Sequence, residues 1–271
     1  MTLKWTGSNS RNRLKTLTTY LKQSRLIFLS LLISFNCLGA ITIISPSEDP
    51  YSEIQEALIL AEQGDIIRLT SGLYELEDSL SIDVANIRLE GEGLDKTVLS
   101  FKNQKSGAQG LSVTSDNVVL QDFAIEDAKG DAIKVKGVDG ISFIRVRTEW
   151  TGGVSSDNGA YGLYPVESKN VLIDSCVAIG ASDAGIYVGQ SQNIIVKNSR
   201  AEFNVAGIEI ENSYYADVFD NHAENNTGGI LVFDLPDIPQ QGGHHVRVFR
   251  NKSINNNTDN FAPEGNIVGE V

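Results

Sequence analysis

The sequence is short of the residues that staple or stiffen a small extracellular fold. It holds two cysteines, six prolines and a single methionine. Cys37 lies in an N-terminal leader, so Cys176 alone remains in the body and cannot form an internal disulfide. It is expected to be a small buried residue in the second strand of a coil rather than a reactive thiol. Positive charge is also scarce, with 22 Lys and Arg against 35 Asp and Glu and a formal net charge of −13. Six of those cations (Lys4, Arg11, Arg13, Lys15, Lys22, Arg25) lie in the first 40 residues, which carry no acid, so the remainder stands at −19. A chain of that sign repels nucleic acid and anionic lipid headgroups, which removes both partner classes. It does not invite a polyanionic sugar either, unless local Lys, Arg or a divalent cation intervenes. No linker-like stretch divides the 271 residues, so one domain is expected after the leader.

The basic start is followed by an apolar run from Leu26 to about Leu38 and the small pair Gly39-Ala40. This is the pattern of an export signal over residues 1–40, and the run is shorter than the ~20 residues a spanning helix needs. The protein is therefore expected to be periplasmic or extracellular, with no membrane contact beyond an N-terminal anchor. Two alternatives stay open: retention of the signal as an anchor, and lipidation at Cys37, although Ser34-Phe35-Asn36 is a poor lipobox.

What is present is a period. Six apolar triplets recur: Leu111-Ser112-Val113, Ile133-Lys134-Val135, Leu163-Tyr164-Pro165, Ile186-Tyr187-Val188, Ile208-Glu209-Ile210 and Ile230-Leu231-Val232. They are separated by steps of 22, 30, 23, 22 and 22 residues. The long step carries an insertion at residues 148–159. Such a period is too short for helix-pair repeats, and the leucine-rich pattern is missing; it fits one coil of a parallel β-solenoid with three short strands. Each triplet follows a small pair such as Ala184-Gly185, Ala206-Gly207 or Gly228-Gly229, and a second strand follows each (170–173, 193–196, 245–248). Asn198, Asn204, Asn221, Asn225, Asn226 and Asn255 to Asn257 mark corners, where Asn tolerates a left-handed backbone and stacked amides hydrogen-bond between coils. In each triplet the outer two side chains point into the stack and the middle one to solvent.

An open solenoid end must be covered. Ile54, Ala57, Leu58 and Ala61 follow helical spacing ahead of Gly64, which predicts a capping helix over 51–63. The β-helix domain is then read as 41–271. Its other end has no such cover in the sequence, so the C-terminus is expected to be truncated or capped by a partner.

These features, with the stretches Gly159-Ala-Tyr-Gly-Leu-Tyr-Pro-Val166, Ala181-Ser-Asp-Ala-Gly-Ile-Tyr-Val-Gly-Gln190, Val205-Ala-Gly-Ile-Glu-Ile-Glu-Asn212, Gly228-Gly-Ile-Leu-Val-Phe-Asp-Leu-Pro236 and Asn260-Phe-Ala-Pro-Glu-Gly-Asn266, resemble an exported bacterial family of parallel β-helix repeat-containing proteins. That family is related to NosD-like and carbohydrate-binding β-helix repeats. The resemblance covers about residue 43 to the end. It implies an all-β, right-handed, single-stranded parallel β-helix with a short N-terminal capping helix, and an exported c-type cytochrome as partner. It implies no assigned activity and no cofactor.

The catalytic signatures of enzymes with this architecture are absent: neither the paired aspartates of galacturonan hydrolases nor the Asp-Pro-His-Asp box of alginate epimerases is found. Function is therefore sought on the outward ladder of Ser112, Lys134, Tyr164, Tyr187, Glu209 and Leu231. Coils ~4.8 Å apart would stack Tyr164 and Tyr187. Asp183 and Glu211 reach the same face, and the 148–159 insertion, with Trp150 and Asp157, would form a wall. Flat rings beside carboxylates suit a sugar chain, so Lys134, Tyr164, Asp183, Tyr187, Glu209 and Glu211 are the candidate binding residues; ordinary cross-strand stacking is the competing explanation. His244 and His245, near Asp234 and Asp237, suggest a metal, but adjacent strand residues point to opposite faces and only one imidazole would join a given site. No metal site is assigned. Two readings remain: a non-catalytic binding module for polysaccharide or a protein partner, and a lyase or C5-epimerase acting on a uronate polymer with Tyr164, Tyr187 and Lys134.

Overall fold

The structure, a computed structural model, describes residue 2 and residues 39–263. Residue 1 and residues 3–38, which hold most of the expected export signal and Cys37, and the last stretch, 264–271, lie outside the described residues. Among the described residues no helix is long and apolar enough to cross a membrane.

Two parallel sheets are wound from successive coils. The triplets lie in a seven-stranded sheet formed in strict coil order by Leu80–Ile82, Gln109–Val113, Asp131–Lys136, Tyr161–Val166, Ala184–Gly189, Ala206–Glu211 and Gly228–Phe233. The register places Leu111, Ile133, Leu163, Ile186, Ile208 and Ile230 in one column. Five of these six are fully buried, and Ile230, in the last triplet strand, is partly so. The fifteen-stranded sheet takes both other sides of each coil. In the first coils those sides are separate strands, as in Ile66–Leu69 followed by Gly72–Glu75, and in the next two they run through as single long strands, Val118–Glu126 and Asp139–Glu149. Later they split at a bend, as in Lys169–Asp174 followed by Val177–Ile179.

The corners explain the Asn content. Gly64, Asn86, Asn117, Gly140, Asn170, Asn193, Tyr215 and His245 form a column of left-handed residues entering the second strand. Asn198, Asn225 and Asn255 are also left-handed. Asn204, Asn221 and Asn226 are not; they turn inward and build ladders. The Asn204 amide donates to Oδ1 of Asn226 at 3.0 Å, and Asn226 donates to Asn256 at 2.8 Å. Beneath them lie the small pairs: a Cβ on Gly185 or Gly207 would come within 2.6 or 2.9 Å of the Asn204 or Asn226 amide nitrogen. The Ala-Gly signature is thus the space a buried amide ladder occupies. Cys176 caps a parallel column, its N–H donating to Ser199 Oγ, whose own N–H donates to Asn221. Burial pushes this thiol up to about 12, so it is inert at neutral pH.

The capping helix spans Pro50–Leu60, with the Asp49 side chain accepting from the Ser52 N–H at its start. It ends earlier than Gly64 suggested, because Ala61 is already extended. Ile54 and Leu58 are buried against the first coils. Gln55 settles the outer edge of strand Leu80–Ile82: its Oε1 accepts from the Ser81 N–H at 2.8 Å and its Nε2 donates to the Ser81 carbonyl at 3.2 Å.

Candidate functional site

The outer face of the triplet sheet carries a compact tyrosine and carboxylate cluster. Tyr164 and Tyr187 meet edge to face at 5.0 Å between centroids, not stacked flat, because a third ring sits beside both. Tyr161 lies 4.4 Å from Tyr164 and 4.7 Å from Tyr187. The small residues Ala184 and Ala206, in register with Tyr161, leave room for the rings. Gly189 does the same at the strand's end: a Cβ there would come within 2.2 Å of the Tyr187 hydroxyl.

The expectation that every middle residue of a triplet faces solvent is corrected here. Tyr187 and Glu209 are 5% and 4% exposed, and Asp183 and Glu211 are 7% each. Tyr164 and Lys134 are half-buried. Tyr187 is therefore no open stacking platform; its hydroxyl donates to Glu211 Oε2 at 2.7 Å. Burial holds the Tyr161 and Tyr187 hydroxyls far above the usual phenol range, with Asp183 and Glu211 adding to it, and pushes Tyr164 up to about 12. All three stay protonated at neutral pH.

Among the described residues neither Glu209 nor Asp183 has a cationic partner. Burial first, then the charges of Asp183 and Glu211, push the Glu209 carboxyl up to about 8. Burial likewise raises Asp183, against the opposing hydrogen bond of Tyr161. Asp131, also raised by burial, sits 3.7 Å from the Lys134 ammonium, which lies 4.8 Å from the Tyr164 ring centroid. Lys134 is thus engaged twice, by a charge and by a ring.

The six predicted residues fall on one face. Tyr161 and Asp131 are not among the six; they open their strands ahead of the triplets whose middle and flanking positions the sequence reading follows. Trp150 is corrected from a groove wall to a buried residue whose indole donates to the Ala128 carbonyl at 2.7 Å. Asp157 is exposed on the insertion.

The histidine pair also departs from expectation. His245 is left-handed (φ 57°), so the two rings do not diverge; their Nδ1 atoms lie 2.8 Å apart and His244 stacks on Tyr214 at 4.3 Å. The preceding loop is clamped by the buried Asn212 amide, which exchanges hydrogen bonds with Leu235 and donates to the Gln240 carbonyl. It borders a polar groove of about 550 Å³ lined by Lys169, Gln190, Gln192, Tyr214 and Gln240. Among the described residues no three of His, Cys, Asp and Glu come together as a metal's donor set requires.

Parallel coils in two sheets around an aliphatic stack define a β-solenoid, and comparison with known proteins makes the class specific. The family described as right handed beta helix region matches residues 87–241, and the chain belongs to it. No curated protein matches the chain. The chain is also similar, at low identity, to solved structures. The A-module of mannuronan C-5 epimerase AlgE4 from Azotobacter vinelandii is 17% identical, with 81% of this chain and 74% of that one covered and a TM-score of 0.47. Pectate lyase Pel9A is 12% identical over 79% and 78%, with a TM-score of 0.47. The PL6 family alginate lyase AlyGC is 13% identical over 80% of this chain, which spans 40% of that one, with a TM-score of 0.38.

Proposed function

We propose that this β-helix is an exported, non-catalytic module that binds a polysaccharide on the outer face of its triplet sheet. The observation that carries the reading is the gathering of three tyrosine rings and four carboxyl groups, from Asp131, Asp183, Glu209 and Glu211, on adjacent coils. Rings offer apolar surface to the C–H face of a pyranose, and carboxyl groups accept from its hydroxyls. The half-buried Tyr161 and Tyr164 form the accessible rim, with Tyr187, Glu209 and Glu211 supporting them from beneath.

Uronate chemistry is disfavoured by charge. A lyase or epimerase needs a cation on the uronate carboxylate, and Lys134 is already held by Asp131 and Tyr164. The protonated, buried tyrosines also make poor bases. A glycan array with the full chain tests the proposal: hits among neutral or amino-bearing glycans, lost in Tyr164→Ala, support it. Release of unsaturated uronates from any hit, read as ultraviolet absorbance, would replace it with the enzymatic reading.

A further inference from the structure

We infer that this face takes an organic ammonium group, and that the glycan it binds carries free amino sugars; this rests on the glycan-binding reading above. Asp183, Glu209 and Glu211 are buried, and each lies near enough to feel the charge of another. Among the described residues none of the three is ion-paired with Lys, Arg or His; the nearest cation of this face, Lys134, is paired with Asp131. Tyr187 donates to Glu211, and Tyr161 serves Asp183. Glu209, 4% exposed, has no hydrogen-bond partner among the described residues and faces the other two carboxylates. Three buried carboxyl groups without a cationic partner, relieved in part by protonation, make a site that an added positive charge stabilises.

The surroundings select the kind of cation. Three aromatic rings crowd the site, and ring faces attract ammonium groups, whereas hard metal ions demand converging oxygens. The described carboxylates do not converge in that way. The same face already seats one ammonium between a carboxylate and a ring, at Lys134, Asp131 and Tyr164. Glu209, Asp183 and Tyr161 with Tyr187 gather carboxyl groups and rings again over the coils that follow, with no lysine among them; Leu231 is next to Glu209 in register. A primary amine on a sugar ring supplies the missing charge, and its ring supplies C–H surface for the tyrosines.

Binding would also move a proton. Facing Glu209 are Asp183 and Tyr187 from the preceding coil, Glu211 from its own strand and the apolar Leu231 from the next. An ammonium beside it favours the ionised carboxyl, so Glu209 gives up its proton to buffer.

The test is calorimetric titration of the full chain at about pH 6, where the amine is charged and Glu209 holds its proton. The ligands are hexamers of β-1,4-linked glucosamine, N-acetylglucosamine and glucose, each in two buffers of different ionisation enthalpy. The glucosamine hexamer should bind roughly tenfold or more tighter than the other two, with a buffer-dependent enthalpy that reports proton release. Glu209→Gln should abolish the release, and Asp183→Asn should weaken binding while leaving the melting temperature within a few degrees. Equal affinity for the three hexamers, or preference for the acetylated one, overturns the ammonium claim and leaves glycan binding standing. Failure of all three to bind overturns both.

Discussion

At the scale of single residues, Glu209 is the most consequential side chain. Its folded-state carboxyl titrates at about 8 rather than near 4.5, so between those values the folded protein holds a proton that the unfolded chain has lost. The stability contributed by that proton is present below pH 4.5 and declines as pH rises toward 8, on the order of 5 kcal/mol in all. Thermal melts across that range should show the decline, and Glu209→Gln should flatten it; an unchanged slope in the variant would place the titration elsewhere. Ile208, fully buried between Ile186 and Ile230, tests the register: Ile208→Asp should cost roughly 3–5 kcal/mol in chemical denaturation. Such interior residues were legible from the sequence because their alternation repeats. Tyr161 and Asp131 were not, since the residues in register with them, Gln109, Ala184 and Ala206, repeat no side-chain type that marks a face. Tyr187 was placed on the right face but at the wrong depth, because a sequence does not reveal that Gly189 lets the ring lie down along its own strand.

At the scale of elements, the repeating coil is held by its corners. Asn226, fully buried, donates to Ala201, Glu224 and Asn256 and accepts from Asn204. Asn226→Ala would orphan several buried groups at once and should cost about 2–4 kcal/mol, whereas the exposed left-handed Asn255 should tolerate Gly with little change. The comparison of the two melts checks the division between ladder and corner asparagines, which residue type alone does not give. At the N-terminal end, Gln55→Ala frees both main-chain groups of Ser81 and should cost about 1–2 kcal/mol, with amide exchange raised first in strand Leu80–Ile82. The histidine pair marks where strand logic failed. Alternation separates neighbouring side chains only in extended backbone, and His245 occupies a column of left-handed residues whose earlier members, up to Tyr215, are Gly and Asn. That column is visible in the sequence once the coils are aligned by their second strands.

At the scale of the whole molecule, a 22-residue period was enough to specify a parallel β-helix, because one coil cannot bury its own core and each must repeat the pattern of the last. The period says little about ligand, since outward positions are free to vary without disturbing the stack. Export belongs to this scale too: mass spectrometry of protein from its native host should find a mature N-terminus near Ile41, and acylation at Cys37 would instead establish a lipoprotein. The claim that the triplet face is where a glycan binds is tested most directly by fluorine NMR of the chain labelled with fluorotyrosine and titrated with an oligosaccharide hit. Tyr161, Tyr164 and Tyr187 should shift together while Tyr214 and Tyr215, beside the loop groove, remain still. Movement of Tyr214 and Tyr215 alone would contradict the account and move the site to the groove beneath the loop.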